Sequence, residues 1–192
     1  MHLELEVILL KNILTELTSD ETYEILLGVF DNMPEYVFND FVMSDKGFFQ
    51  KELKKILRKN PDADEEDIAF QFRDWVDIKW KRDVLDVNLS DFTKKNRDMI
   101  IKRKFGNANP GKVPDEEARV RLQRKLAKEL KPGKNEPVIV LNRGNELKLV
   151  EGWHRTMAIL SLGDTGEEDP TKWNEVKLRA WVGTGPSVDR VW

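Results

Sequence analysis

A chain of 192 residues, 40% hydrophobic and 35% charged, has the composition of a soluble globular protein with apolar mass for one domain plus an appendage, or for two small domains. It contains no cysteine, which excludes disulfides, thiolate metal centres, zinc fingers and any cysteine nucleophile. The formal net charge of -3 conceals an asymmetry: residues 1–78 carry 8 Lys and Arg against 18 Asp and Glu, about -10, and the remainder sums to about +7.

No apolar run approaches the ~18 to 20 residues that span a bilayer. Met1-His2-Leu3-Glu4-Leu5-Glu6 places carboxylates where a secretory signal needs cations, so the expected location is the cytoplasm, away from any membrane. Leu3, Val7, Leu10, Leu14 and Leu17 recur at three- and four-residue steps, which predicts an amphipathic helix over residues 3–17. Thr18-Ser19-Asp20-Glu21 offers a capping box for a second helix containing Tyr23, Ile25, Leu26, Leu27, Val29 and Phe30. Pro34 opens a short helical stretch, and residues 48–57 form another with a Lys-rich outer face that Asn60-Pro61-Asp62 stops. The acidic run over residues 62–67 lacks the glycine and distal glutamate of a calcium hand, and reads as the N-terminal cap of a helix with Ile68, Phe70, Phe72, Trp75, Val76 and Ile78. Residues 1–80 are therefore expected to be a helical region or cap without a catalytic constellation.

From residue 81 onward the pattern changes. Residues 84–89 alternate as a strand, and residues 105–114 are rich in Gly, Asn and Pro and read as a mobile loop. Asp115-Glu116-Glu117 caps a helix expected to run to about Leu130, with Val120, Leu122, Leu126 and Leu130 inward. Residues 137–142 and 146–150 form an antiparallel hairpin across Arg143-Gly144-Asn145. The second strand leads through Glu151-Gly152-Trp153-His154-Arg155 into a helix that continues to Leu162 and ends at Gly163. A polar excursion over residues 164–174 precedes a last strand with Val176, Leu178, Ala180 and Val182, after which Gly183-Thr184-Gly185-Pro186 begins a tail. The fold class expected is α+β: an N-terminal helical region over residues 1–80, then a small domain over residues 81–192 with a mixed sheet and flanking helices.

The turn at Gly152 concentrates the chemistry. A glycine between strand and helix permits a sharp bend, and the first helix amides, from Trp153 to Thr156, point outward towards anions. Arg155 adds a forked donor, His154 a group that donates a proton or polarises an oxygen near neutral pH, Thr156 a hydroxyl, and Glu151 a base or metal ligand. Structural roles compete for each residue: His154 bonded to a carbonyl, Arg155 paired with Asp164 or Glu151, Thr156 as a cap, and Trp153 in the core rather than stacked on a base. Gly106-Asn107-Ala108-Asn109-Pro110-Gly111-Lys112 fits seven places of a P-loop. Val113 then stands where a hydroxyl residue must hold magnesium, and Pro114 delays the helix.

A helix followed by PVIVL, a hairpin, LKLVEGWHRTMAIL and a closing strand resembles the ParB/sulfiredoxin superfamily over roughly residues 83–182. The equivalent turn reads G-E-R-R in ParB proteins and G-C-H-R in sulfiredoxins; here it is Gly152-Trp153-His154-Arg155, so the His-Arg pair agrees and Trp153 replaces the cysteine. Free serine kinases of the superfamily have a similar turn preceded by a carboxylate, as Glu151 precedes Gly152. The resemblance implies a site for a nucleoside di- or triphosphate (ATP, ADP or CTP) with Mg2+. Gly152, Trp153, His154, Arg155 and Thr156 would hold the nucleotide, Glu151, His154 and Arg155 would be catalytic, and Glu151 would also be the metal ligand. Asp86, Asp91 and Glu117 are reserve carboxylates. Sulfinic-acid reduction is excluded by the missing cysteine. The chain ends roughly thirty residues after the helix, where a chromosome-partitioning ParB continues into DNA-binding and dimerisation domains, so centromere binding is not expected. In its layout the chain resembles phage and plasmid accessory proteins.

Three functions follow as expectations. The first is hydrolysis or transfer of a phosphoryl group. The second is DNA binding with nuclease activity through the basic residues 94–134, with Lys102, Arg103, Lys104, Arg121, Arg124 and Lys128 on the backbone. The third is an interaction protein that inhibits a host enzyme, its helical region contacting a host or self partner.

Overall fold

The computed structural model describes residues 17–44, 47–104, 125, 136–167 and 172–192. Apart from Leu17 and Lys125, the helices expected over residues 3–17 and from Asp115 to about Leu130 lie outside them, as do the loop 105–114 and Glu117, Arg121, Arg124 and Lys128. The chain divides into two compact units, Met1–Asp77 and Ile78–Trp192. Among the described residues no helix is long and apolar enough to cross a membrane.

The first unit is helical. Helix α1 (Ser19–Val29) begins with the expected capping box, Thr18 accepting from the Glu21 amide while the Glu21 side chain accepts from the Thr18 amide. The latter bond holds the Glu21 carboxyl below its ordinary range. Pro34 precedes α2 (Glu35–Val37), which runs into a π-helical turn, Phe38–Val42. Helix α3 (Phe48–Lys59) follows. The acidic run caps α4 (Glu65–Val76) as expected, with Asp64 accepting from the Asp67 amide at 2.9 Å. These elements bury Leu26, Phe30, Phe38, Phe49, Leu53 and Phe72 in one aromatic-rich core.

The second unit is built on a four-stranded mixed sheet of order β1-β4-β2-β3, so the α+β class is observed. Strand β1 (Lys79–Val87) pairs antiparallel with β4 (Val176–Thr184), and β4 lies parallel to β2 (Val138–Arg143). Strand β2 in turn pairs antiparallel with β3 (Glu146–Glu151) across a two-residue turn at Gly144 and Asn145. The alternation that predicts a strand over residues 84–89 is displaced. Asn88 leaves the strand to cap a 3-10 turn, Leu89–Asp91, accepting from the Ser90 amide at 2.7 Å while Asp91 accepts from its own. The strand begins earlier, at charged Lys79, because pairing with β4 rather than apolar alternation sets its extent.

Helix α5 (Lys94–Lys104) starts next to edge strand β3. The Thr93 amide donates to the Leu147 carbonyl at 2.8 Å, and buried Asn96 accepts from the Leu149 amide at 2.8 Å, so a side chain supplies a bond that a neighbouring strand would otherwise make. Asn96→Ala leaves that buried amide without its acceptor and is expected to destabilise the unit by about 1–3 kcal/mol. Urea denaturation measures this, and an unchanged midpoint would mean that water substitutes for the side chain.

Helix α6 (Trp153–Gly163) packs on β4 and β2, and it buries Met157, Ile159 and Leu160 in a core with Phe92, Val138, Val140, Leu149 and Leu178. The expected tail is ordered. Strand β4 continues through Gly183, where a Cβ would lie 2.8 Å from both Ile78 Cγ2 and Leu141 Cδ2, so glycine permits close packing there. Helix α7 (Val188–Val191) follows and buries Val188. Lys148 donates to the Val191 carbonyl at 2.7 Å, and the Arg143 guanidinium lies over the Trp192 ring at 4.5 Å. Partial burial, with Lys95 nearby, lowers the Lys148 pKa.

Candidate functional site

Two constraints shape the turn between β3 and α6. Residues on β2 and β3 pair in order until Val140 opposite Leu149, after which Ile139 opposes Glu151, so Val150 is an extra residue. Strict alternation would carry residue 151 to the inward face that Leu147 and Leu149 occupy, and the bulge interrupts it. Gly152 then adopts φ 91° and ψ 31° as the N-cap of α6. A side chain there would meet β2, since a Cβ would lie 2.7 Å from Val138 Cγ1. Glycine is therefore required both by backbone handedness and by close approach of the turn to the sheet.

Gly152 makes no side-chain cap, and the ladder of α6 starts with the Thr156 amide on the Gly152 carbonyl at 2.9 Å. Glu151 bends back so that its Oε1 accepts from the Gly152 amide at 3.0 Å. The carboxylate expected to serve as base or metal ligand thus sits on the first donor of the turn. Arg155 is largely buried, its side chain 16% exposed, and its Nη1 donates at 3.0 Å to both Glu136 Oε2 and the Pro137 carbonyl. It bridges the first turn of α6 to the entrance of β2. The partners weighed from sequence were Asp164 and Glu151; the structure adds Glu136, nineteen residues before Arg155 and brought close by the hairpin.

The remaining turn residues divide between core and site. Trp153 is half-buried and packs against the sheet core. His154 is half-buried, with its Nε2 atom buried. Thr156 is fully buried, and its Oγ1 has no hydrogen-bond partner among the described residues, although its amide is in the helix ladder. A buried hydroxyl without a partner is costly in a helix that could have held alanine or valine there.

Of the reserve carboxylates, Asp86 and Asp91 are described, and each has a partner of its own. Asp86 pairs with Lys177 across β1 and β4 at 2.6 Å, both groups being exposed, and Asp91 accepts from the Asn88 amide at 2.7 Å. Among the described residues no group of three or more His, Asp or Glu side chains is arranged to hold a metal ion. In the basic region, Lys102, Arg103 and Lys104 fall in the last turn of α5, while Arg97 donates to the Ser90 and Phe92 carbonyls and so secures the preceding turn.

Sequence reasoning missed Glu136 and Asn96. Glu136 is marked only by being a charge immediately before the apolar strand, and Asn96 by standing in a Lys-rich helix three residues after Thr93, whose Oγ1 accepts from the Asn96 amide at 3.2 Å. No family model, curated protein or solved structure matches this chain.

Proposed function

We propose that the second unit binds a nucleoside di- or triphosphate at the start of α6 and hydrolyses or transfers its phosphoryl group. The observation that carries this reading is the helix start itself: an 11-residue helix, without a side-chain cap, entered through a left-handed glycine at a strand end, with Arg155 in its first turn. Helix amides and the dipole stabilise phosphate charge there, and a guanidinium adds paired donors. Thr156 supports the assignment, because its buried hydroxyl stands in the same turn without a partner among the described residues.

The residues also suit magnesium carried on the phosphates. Glu151 supplies one carboxylate beside the turn, and magnesium at nucleotide sites is commonly held by one or two carboxylates together with phosphate oxygens. His154 would bind or protonate a phosphate oxygen. The resemblance of Glu151-Gly152-Trp153-His154-Arg155 to the ParB/sulfiredoxin turn extends the reading from binding to phosphoryl chemistry.

Thermal denaturation with ATP, ADP, CTP and GTP, with and without magnesium, tests it. A nucleotide at a hundred times its Kd is expected to add about 2.7 kcal/mol of stability, seen as a rise in Tm. Arg155→Ala should remove that rise while the ligand-free protein still unfolds cooperatively. The reading fails if no nucleotide raises the Tm of the unsubstituted protein.

A further inference from the structure

The arrangement around Arg155 contains a carboxylate where a ligand phosphate would stand. Among the contacts of Arg155 are two acceptors of different character. The Pro137 carbonyl belongs to the backbone at the entrance of β2, whose residues 138–141 are all buried. The Glu136 carboxylate belongs to a side chain that is 78% exposed. The guanidinium is thus anchored at its inner contact and held at its outer one by a solvated acid. Pro137 biases Glu136 towards extended backbone and so fixes where that acid hangs.

We infer that Glu136 is a displaceable placeholder that sets the anion affinity of the α6 site through Arg155, an inference that rests on the phosphate-binding reading above. An exposed ion pair is weak because water and salt screen it, whereas a phosphate contacting both the helix amides and the guanidinium makes several charge-assisted bonds at once. Exchange of carboxylate for phosphate leaves the Pro137 contact intact and keeps Arg155 oriented. Glu151 adds a second negative group on the Gly152 amide, so the turn is already occupied by protein carboxylates before an anion arrives. Such occupation lowers affinity for every anion equally. Only a ligand with several phosphate contacts would then hold at low concentration.

The sign of the effect distinguishes a placeholder from a positioning group. Isothermal titration with ADP, and separately with inorganic phosphate, is to be compared for the unsubstituted protein, Glu136→Gln, Arg155→Ala and the double variant. Glu136→Gln keeps the side-chain volume on an exposed position and removes only the competing charge. It is expected to tighten ADP binding about fivefold, the upper range for releasing an exposed ion pair. In the Arg155→Ala background the same change should produce no gain, because the effect passes through the guanidinium.

Weaker binding by Glu136→Gln, or equal binding, overturns the placeholder while leaving the nucleotide reading in place. A gain that persists without Arg155 also overturns it, since the acid would then act only through the general field. Absence of ADP and phosphate binding in all four proteins overturns the inference, and the reading beneath it falls as well if ATP, CTP and GTP also leave the Tm unchanged.

Discussion

Gly152→Ala is expected to destabilise the second unit by about 2–5 kcal/mol, a large share of the ~5–15 kcal/mol that holds a domain together. Two independent costs add. The left-handed conformation at φ 91° costs an L-residue about 1–2 kcal/mol, and the new methyl, 2.7 Å from Val138 Cγ1, forces overpacking worth about 1–3 kcal/mol. Adding Val138→Ala relieves only part of the contact, since it removes Cγ1 but keeps Cβ, which would still lie 2.9 Å from the new methyl, and it leaves the backbone cost untouched. In the Val138→Ala background, adding Gly152→Ala is therefore expected to cost less than it does alone, with more than the backbone's own ~1–2 kcal/mol remaining. Chemical denaturation of the single and double variants measures both parts. A loss below about 1 kcal/mol for Gly152→Ala alone would show that the turn adopts another path.

The other large effect lies in the helical unit. Phe49 is fully buried and its ring contacts those of Phe30, Phe41, Phe72 and Trp75 at centroid distances of 5.3, 5.1, 5.6 and 5.6 Å. Phe49→Ala removes this hub and leaves a cavity that the flanking helices can fill only by moving, with an expected cost of about 3–5 kcal/mol. Hydrogen exchange should show the first loss of protection within residues 19–76. Phe48, adjacent in sequence, is 51% exposed, so Phe48→Ala is expected to cost well under half as much, and it serves as the control. Equal effects at the two positions would contradict the assignment of Phe49 as the centre of the core.

At the candidate site, glycine, arginine and glutamate each have a structural reason to be present. Gly152 meets the approach of Val138, Arg155 ties α6 to the entrance of β2, and Glu151 closes on the Gly152 amide. The phosphate reading adds a purpose that packing does not: an anion site at a helix start whose buried Thr156 hydroxyl has no partner among the described residues. In the basic region Arg97 is committed to backbone carbonyls, while the side chains of the cations expected on a nucleic-acid backbone lie outside the described residues.

What the sequence by itself determined is local. The Thr18 and Asp64 caps, the hairpin at Gly144, the strand-glycine-helix junction at Gly152 and the buried face of α3 all follow from hydrogen-bonding side chains or hydrophobic periods that act within a few residues. Only the tertiary structure decided where β1 starts, that β4 inserts between β1 and β2, and that residues 188–191 fold back as a helix, because these depend on pairings between positions scores of residues apart. The same holds for the site. Local spacing placed Glu151, Gly152, His154, Arg155 and Thr156 at one turn, but which acid faces Arg155 was decided when the β2-β3 hairpin brought Glu136 within 3.0 Å of it, a contact across nineteen residues that no short-range pattern encodes.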